Sequence, residues 1–135
     1  MTTAEQVLII GGVLTLGYGS LLGIPMTALR MREPHPPTPR YLNVAHIGAV
    51  IQGVILLSLV WAARMSELSS GWETTAAWLL VASGVFIAAK DTINWLTGIN
   101  DEFTEKAKTA PLGLAGAVTL FAGLVILAVG VFAAL

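Results

Sequence analysis

His46, Gln52, Asp91 and Asn94 are the residues of this chain whose types and spacing could do chemistry. An imidazole can ligate a metal or move a proton, a carboxylate can act as acid or base, and an amide can hold an oxygen atom in place. All four stand inside stretches that are otherwise apolar, where a polar side chain is expensive and calls for a reason. Asn43 lies three residues before His46 on the same helix face, and Gly53 lies seven residues after it. Gln52, six residues on, is about a third of a turn around. Lys90, Asp91 and Asn94 fall within one turn, and Asp91 and Asn94 share a face with Trp95 and Gly98. Lys90 is long enough to snorkel toward a surface, whereas the shorter Asp91 is expected to point inward. Gly48 and Gly53 should leave backbone uncovered near His46, as a flat ligand lying on the helix needs.

Each of these residues also has a plain structural reading. His46, Gln52 and Asn94 can be hydrogen-bond glue between helices, Lys90 an interfacial anchor, and Lys90–Asp91 a neutralised pair. What favours a site is the conjunction. Amide, imidazole and carboxylate should reach one depth, while the first and last apolar stretches carry only Thr15, Tyr18, Ser20 and Thr27, and Thr119.

The elements that must position these residues are four apolar segments of about 20 residues, the length that crosses a bilayer as a helix. They run from about Val7 to Leu29, Leu42 to Ala63, Thr74 to Leu96 and Pro111 to Leu135. Of the 135 residues 56% are hydrophobic and only 11% charged, against roughly 25% charged in a soluble domain. The charges are bunched between the apolar runs, a membrane pattern. One all-α domain is expected, an integral membrane four-helix up-down bundle joined by short loops. The stretch from Arg30 to Tyr41 holds Pro34, Pro36, Pro37 and Pro39 and should be stiff and extended. Arg64 to Glu73 reads as a polar turn, Asn100 to Thr109 as a charged loop, and Pro111 suits a first helical turn.

Loops 1 and 3 carry Arg30, Arg32, Arg40, Lys106 and Lys108, with Lys90 close by, against Arg64 alone on the other side. The bias places loops 1 and 3 in the cytoplasm and both termini outside, in an inner (plasma) membrane of bacterial type. Met1 to Gln6 lacks a basic leader region, so the first apolar run is expected to be a retained helix. Gly116, Gly123 and Gly130 form a small-residue stripe on the last helix, and Gly12, Gly19 and Gly23 one on the first. Either intramolecular packing or an oligomer contact accounts for such stripes.

Several chemistries are excluded. A net charge of −1 gives no footing for nucleic acid. The absence of cysteine removes disulfides, thiolate metal sites and cysteine nucleophiles. There is no HExxH, and the only other histidine, His35, sits in the proline-rich loop. A metal cofactor on His46 would therefore keep one axial position open, which suits substrate binding or Lewis-acid chemistry better than electron transfer.

At the junction of loop 1 and the second helix the chain reads Pro-Pro-Thr-Pro-Arg-Tyr-Leu-Asn-Val-Ala-His46-Ile-Gly-Ala-Val-Ile-Gln-Gly53. A Pro-x-x-Pro (Pro36, Pro39) thus precedes an Ala-His that opens an apolar helix, with an amide and a glycine six and seven residues later. Asp91 then ends a long apolar run, with aromatic and amide residues close behind, and a proline leads the last helix. Over about residues 36 to 135 this order resembles styrene oxide isomerase, a small four-helix membrane enzyme. The resemblance implies a homotrimer binding haem b through His46, with ferric iron as Lewis acid in the rearrangement of a small apolar epoxide to a carbonyl. It makes Gln52 the counterpart of an active-site Asn and Asp91 that of the family's third-helix Asp. Asn94 joins them as a catalytic candidate, with Asn43, Gly53 and Trp95 beside the cofactor. Gln52 is one methylene longer than the family's Asn, and Ile99 stands where the family has a Tyr.

Three other readings stay open on the residues alone. One is a haem-binding sensor or carrier without catalysis. Another is a small proton-coupled transporter working through Asp91; the small multidrug-resistance exporters, similar in length and helix count, depend instead on a first-helix Glu. The third is a scaffold subunit.

Overall fold

A computed structural model describes all 135 residues. Four helices account for the regular structure: α1 (Thr3–Arg30), α2 (Arg40–Met65), α3 (Ser70–Leu96) and α4 (Ala110–Ala133). With 24 to 28 residues each is about 36 to 42 Å long, and each is long and apolar enough to cross a membrane. The order expected from the apolar runs is reproduced, with ends shifted by a few residues. α1 begins earlier because Thr2 and Glu5 form a reciprocal capping box. α3 begins earlier because Glu73 lies in its first turn, and not in the preceding loop.

Glycine decides how closely the helices approach. A Cβ at Gly53 would lie 2.9 Å from the Gly12 carbonyl oxygen, and one at Gly19 would lie 3.0 Å from the Val50 nitrogen. α1 and α2 therefore meet backbone to backbone. Glu5 Oε1 accepts from Arg64 Nε at 2.9 Å at one end of this pair, and Gly23 lies beside His46 toward the other. On α4 the same device works against α3: a Cβ at Gly123 would stand 3.0 Å from the Ala76 carbonyl oxygen. Gly116 backs onto Ile87 and Gly130 onto Leu68. Both glycine stripes are thus spent on packing within the chain. For Gly53 this corrects the expectation of uncovered backbone, since α1 covers it; Gly48 has nothing within 4 Å and is open as expected.

α1 packs on α2 and α3, and α4 on α3 and α2, while α1 and α4 do not meet. The α2–α3 pair is therefore the centre. Leu8, Leu56, Leu80 and Leu127 fill one end of the interior; Leu22, Met26, Leu42 and Ala45 fill the other, with Tyr18 and Trp95 against them. Outside, large apolar side chains stand exposed all round, including Ile24, Ile51, Val85, Phe121 and Val125. An apolar exterior on this scale is the inverse of a soluble bundle. Trp61 and Trp72 stand exposed, with Arg64 over the Trp61 ring at 5.4 Å.

Candidate functional site

α3 ends in a motif that fixes the path of loop 3. Gly98 has φ +71, the left-handed conformation glycine tolerates, and Ile99 N–H donates to the Asn94 carbonyl while Gly98 N–H donates to that of Trp95. The chain thereby turns back over the helix end. Loop 3 is then held by its own carboxylates: Asp101 Oδ1 accepts from the Phe103 and Thr104 amides at 3.0 and 3.2 Å. Glu105 Oε1 accepts from the Asn100 and Asp101 amides. The bonds from the Thr104 and Phe103 N–H groups hold the Asp101 carboxyl below the usual carboxylate range.

This fold-back delivers Glu102 onto the polar turn of α3. Glu102 Oε2 accepts from Lys90 Nζ at 2.8 Å and from Asn94 Nδ2 at 3.2 Å. Asn94, wholly buried, also accepts from Thr109 Oγ1 at 2.6 Å. Its amide is therefore occupied on both sides by loop residues. The Glu102 amide donates to the Tyr41 hydroxyl, and Arg40 donates to the Asn100 carbonyl, so the start of α2 is fastened to the same cap.

Asp91 sits one turn deeper, 3% exposed. Lys90 Nζ lies 3.1 Å from its Oδ1 as a charge pair, yet not in hydrogen-bond alignment, and that oxygen has no donor. Asp91 shares a cavity of about 30 Å³ with Gln52, Gly48, Gly84 and Ala88, room for about one water molecule. Gln52 is held there by donating from Nε2 to Ser83 Oγ at 3.3 Å. Two of the expected catalytic residues are thus brought together, with Asp91 Oδ1 paired to Lys90 by charge alone.

His46 faces elsewhere. Its Nδ1 lies 2.7 Å from the Gly19 carbonyl oxygen on α1. A carbonyl only accepts, so Nδ1 carries the proton and Nε2 of the neutral ring has its lone pair free. The close approach permitted by Gly19 is what brings this carbonyl within reach. His46 is not among the residues lining the Gln52–Asp91 cavity, as the third of a turn between positions 46 and 52 requires. Asn43 is exposed, Trp95 packs with Leu22, Met26, Leu42 and Ala45, and Gly53 is buried against α1. The chain therefore splits the expected site in two: an imidazole on the α1 side of α2, and an amide–carboxylate cavity on its α3 side.

No cluster of three or more His, Asp or Glu is assembled to hold an ion. A single imidazole would suit only a cofactor that brings its own remaining ligands, as a porphyrin does. An imidazole oriented through Nδ1–H by a backbone carbonyl is the arrangement a metal-ligating histidine needs. The side chains missed from sequence are Glu102, Thr109 and Tyr41; of these only the first has a signal that could have found it, the complementarity of an acidic loop to nearby Lys90.

Compared with known proteins, the chain matches no protein-family model, no curated protein and no solved structure.

Proposed function

We propose that this chain is a multi-pass membrane protein, a four-helix up-down bundle in the inner membrane, that binds haem b through His46 and isomerises a small apolar epoxide to a carbonyl compound. The apolar exterior and the bias of six basic residues at the loop 1 and loop 3 end to Arg64 at the other support the placement, with those two loops in the cytoplasm and the termini outside. The observation that carries the cofactor reading is the His46 Nδ1–H bond to the Gly19 carbonyl, which fixes the ring and leaves Nε2 as ligand. Ferric haem bound there supplies a Lewis acid. The outward face beside His46, formed by Ile47, Ile51 and Val54, is apolar and exposed, and suits a macrocycle covered by another copy of the chain. A homotrimer, as the resemblance to styrene oxide isomerase implies, would hold the haem between subunits. On the α3 side of α2, the Gln52 amide and the Asp91 carboxylate would act without touching the substrate, through the one water their cavity holds and through charge on the positive centre that develops as a C–O bond opens. Asn94 acts indirectly, by anchoring loop 3 over Lys90.

Haem-loaded protein should convert an aryl epoxide such as styrene oxide to its aldehyde, with Asp91→Asn slowing turnover by at least tenfold while haem is retained. Inactivity of fully loaded protein across aryl and alkyl epoxides contradicts the catalytic part.

One set of observations favours a second reading. Asn94 is spent on Glu102 and Thr109, Ile99 offers no phenol, and His46 and Asp91 face different neighbours. A haem protein without catalysis, a sensor or carrier, accommodates all three. Tight CO or NO binding without epoxide turnover distinguishes it.

A further inference from the structure

Between α1 and α3 the surface carries an apolar groove of about 390 Å³, lined chiefly by Leu14, Val85, Ala88, Ala89 and Ile93, with Tyr18 and Thr92 inside it. The Tyr18 and Thr92 hydroxyls are hydrogen-bonded to each other. Thr15, also in the groove, donates to the Gly11 carbonyl one turn back. Ser20, Thr27, Ser58 and Thr119 do the same on their own helices, the usual way for a hydroxyl to spend its proton in apolar surroundings. Thr92 does not; its partner is the phenol across the groove. Two hydroxyls carry two protons and the bond between them uses one. The second has no acceptor within the chain, and leaving it unpaired in an apolar medium is costly.

We infer that the α1–α3 groove is a binding site for a small apolar molecule with a single acceptor oxygen (an aryl ketone, ether or epoxide), held by the spare proton of the Tyr18–Thr92 pair. The apolar walls take the hydrocarbon and the hydroxyl pair takes the oxygen. The volume accommodates a one- or two-ring compound. Gly84 and Ala88 line both this groove and the Gln52–Asp91 cavity, so a molecule in the groove lies directly behind that cavity. An all-hydrocarbon occupant, such as an acyl chain, would leave the proton unpaired. The inference rests on the membrane placement proposed above and not on haem at His46.

Benzophenone tests it, being apolar, carrying one ketone oxygen and adding to nearby C–H bonds on irradiation. With the full chain in liposomes, adducts should concentrate on residues 14–18 and 85–93. Acetophenone should protect at about fivefold lower membrane concentration than ethylbenzene, the gain of one net hydrogen bond. The paired variant Tyr18→Phe, Thr92→Val, which keeps the shape and deletes both hydroxyls, should lose that preference while its helical circular dichroism is unchanged. His46→Ala should keep it, so that a failure of the haem reading leaves this result standing. Adducts spread evenly over the outward faces, or a preference for acetophenone that survives in the paired variant, overturn the inference. So does labelling of the groove only after dissociation to monomers, which would assign it to a second copy.

Discussion

Two seams meet on α2, and they place polar groups by opposite means. The α1–α2 seam is built of glycine: Gly12, Gly19 and Gly53 bring two backbones into contact, and its one ring, His46, is satisfied by a carbonyl of the facing helix. The α2–α3 seam and its cap are built of side chains. Gln52 is braced by Ser83, and Lys90 and Asn94 are closed over by Glu102. In the first seam orientation comes from helix geometry; in the second it comes from a loop that has to fold back. The glycine seam should therefore be rigid and intolerant of added atoms, and the capped seam sensitive to its loop carboxylates.

The heaviest loss should come from Gly53→Val. Its Cβ would meet the Gly12 carbonyl oxygen at 2.9 Å and Leu16 Cγ at 2.6 Å, so the helices must separate, at about 3 kcal/mol. Denaturant unfolding followed by circular dichroism should record that loss, and His46 should lose the Gly19 carbonyl with it. An unchanged midpoint would mean that the seam is not rigid.

Next in size is Glu102→Ala. It strips the partner from Lys90 and Asn94 together, at about 1–2 kcal/mol once the partial exposure of Glu102 is discounted. Glu102→Gln, which keeps an acceptor for Asn94 and drops the charge, should recover about half of it in the same assay.

Gly48→Ala probes the contrast from the other direction. With nothing within 4 Å of its Cβ, it should stabilise by about 0.5–1 kcal/mol through helix propensity alone. A destabilisation there equal to that at Gly53 would erase the distinction between the two glycines.

The mildest effect concerns pH. The Asp101 carboxyl is held low by its bonds to the Thr104 and Phe103 amides. Its contribution is thus fully present above the usual carboxylate range and is lost as pH falls through the lowered value. Protection of the Phe103 and Thr104 amides from hydrogen exchange, taken relative to the intrinsic rate at each pH, should be high at neutral pH and fall only under strong acid; Asp101→Ala should lower it throughout.

Length and hydropathy were enough to read the four helices, because a run of about 20 apolar residues has few alternatives. The polar turn at Asp91 and Asn94 and the place of His46 inside a helix were legible too, since each breaks an apolar pattern. What each side chain touches was not. Glu102 looks in sequence like one more solvated loop charge, and becomes a buried-cluster partner only because Gly98 reverses the chain. Gly53 and Gly48 read alike, although α1 covers one and leaves the other bare; that depends on the crossing point of a helix some forty residues away. The Tyr18–Thr92 pair spans α1 and α3 with no periodicity to announce it.

Haem on His46 is the proposal from which the rest of the chemistry hangs. It is read by the visible spectrum of the detergent-purified protein, supplied with haem during expression, beside that of His46→Ala. A Soret band is expected in the parent and should collapse in the variant while its helical content is unchanged. A parent that stays colourless after haem reconstitution, or a variant with the parent's spectrum, contradicts haem ligation by His46.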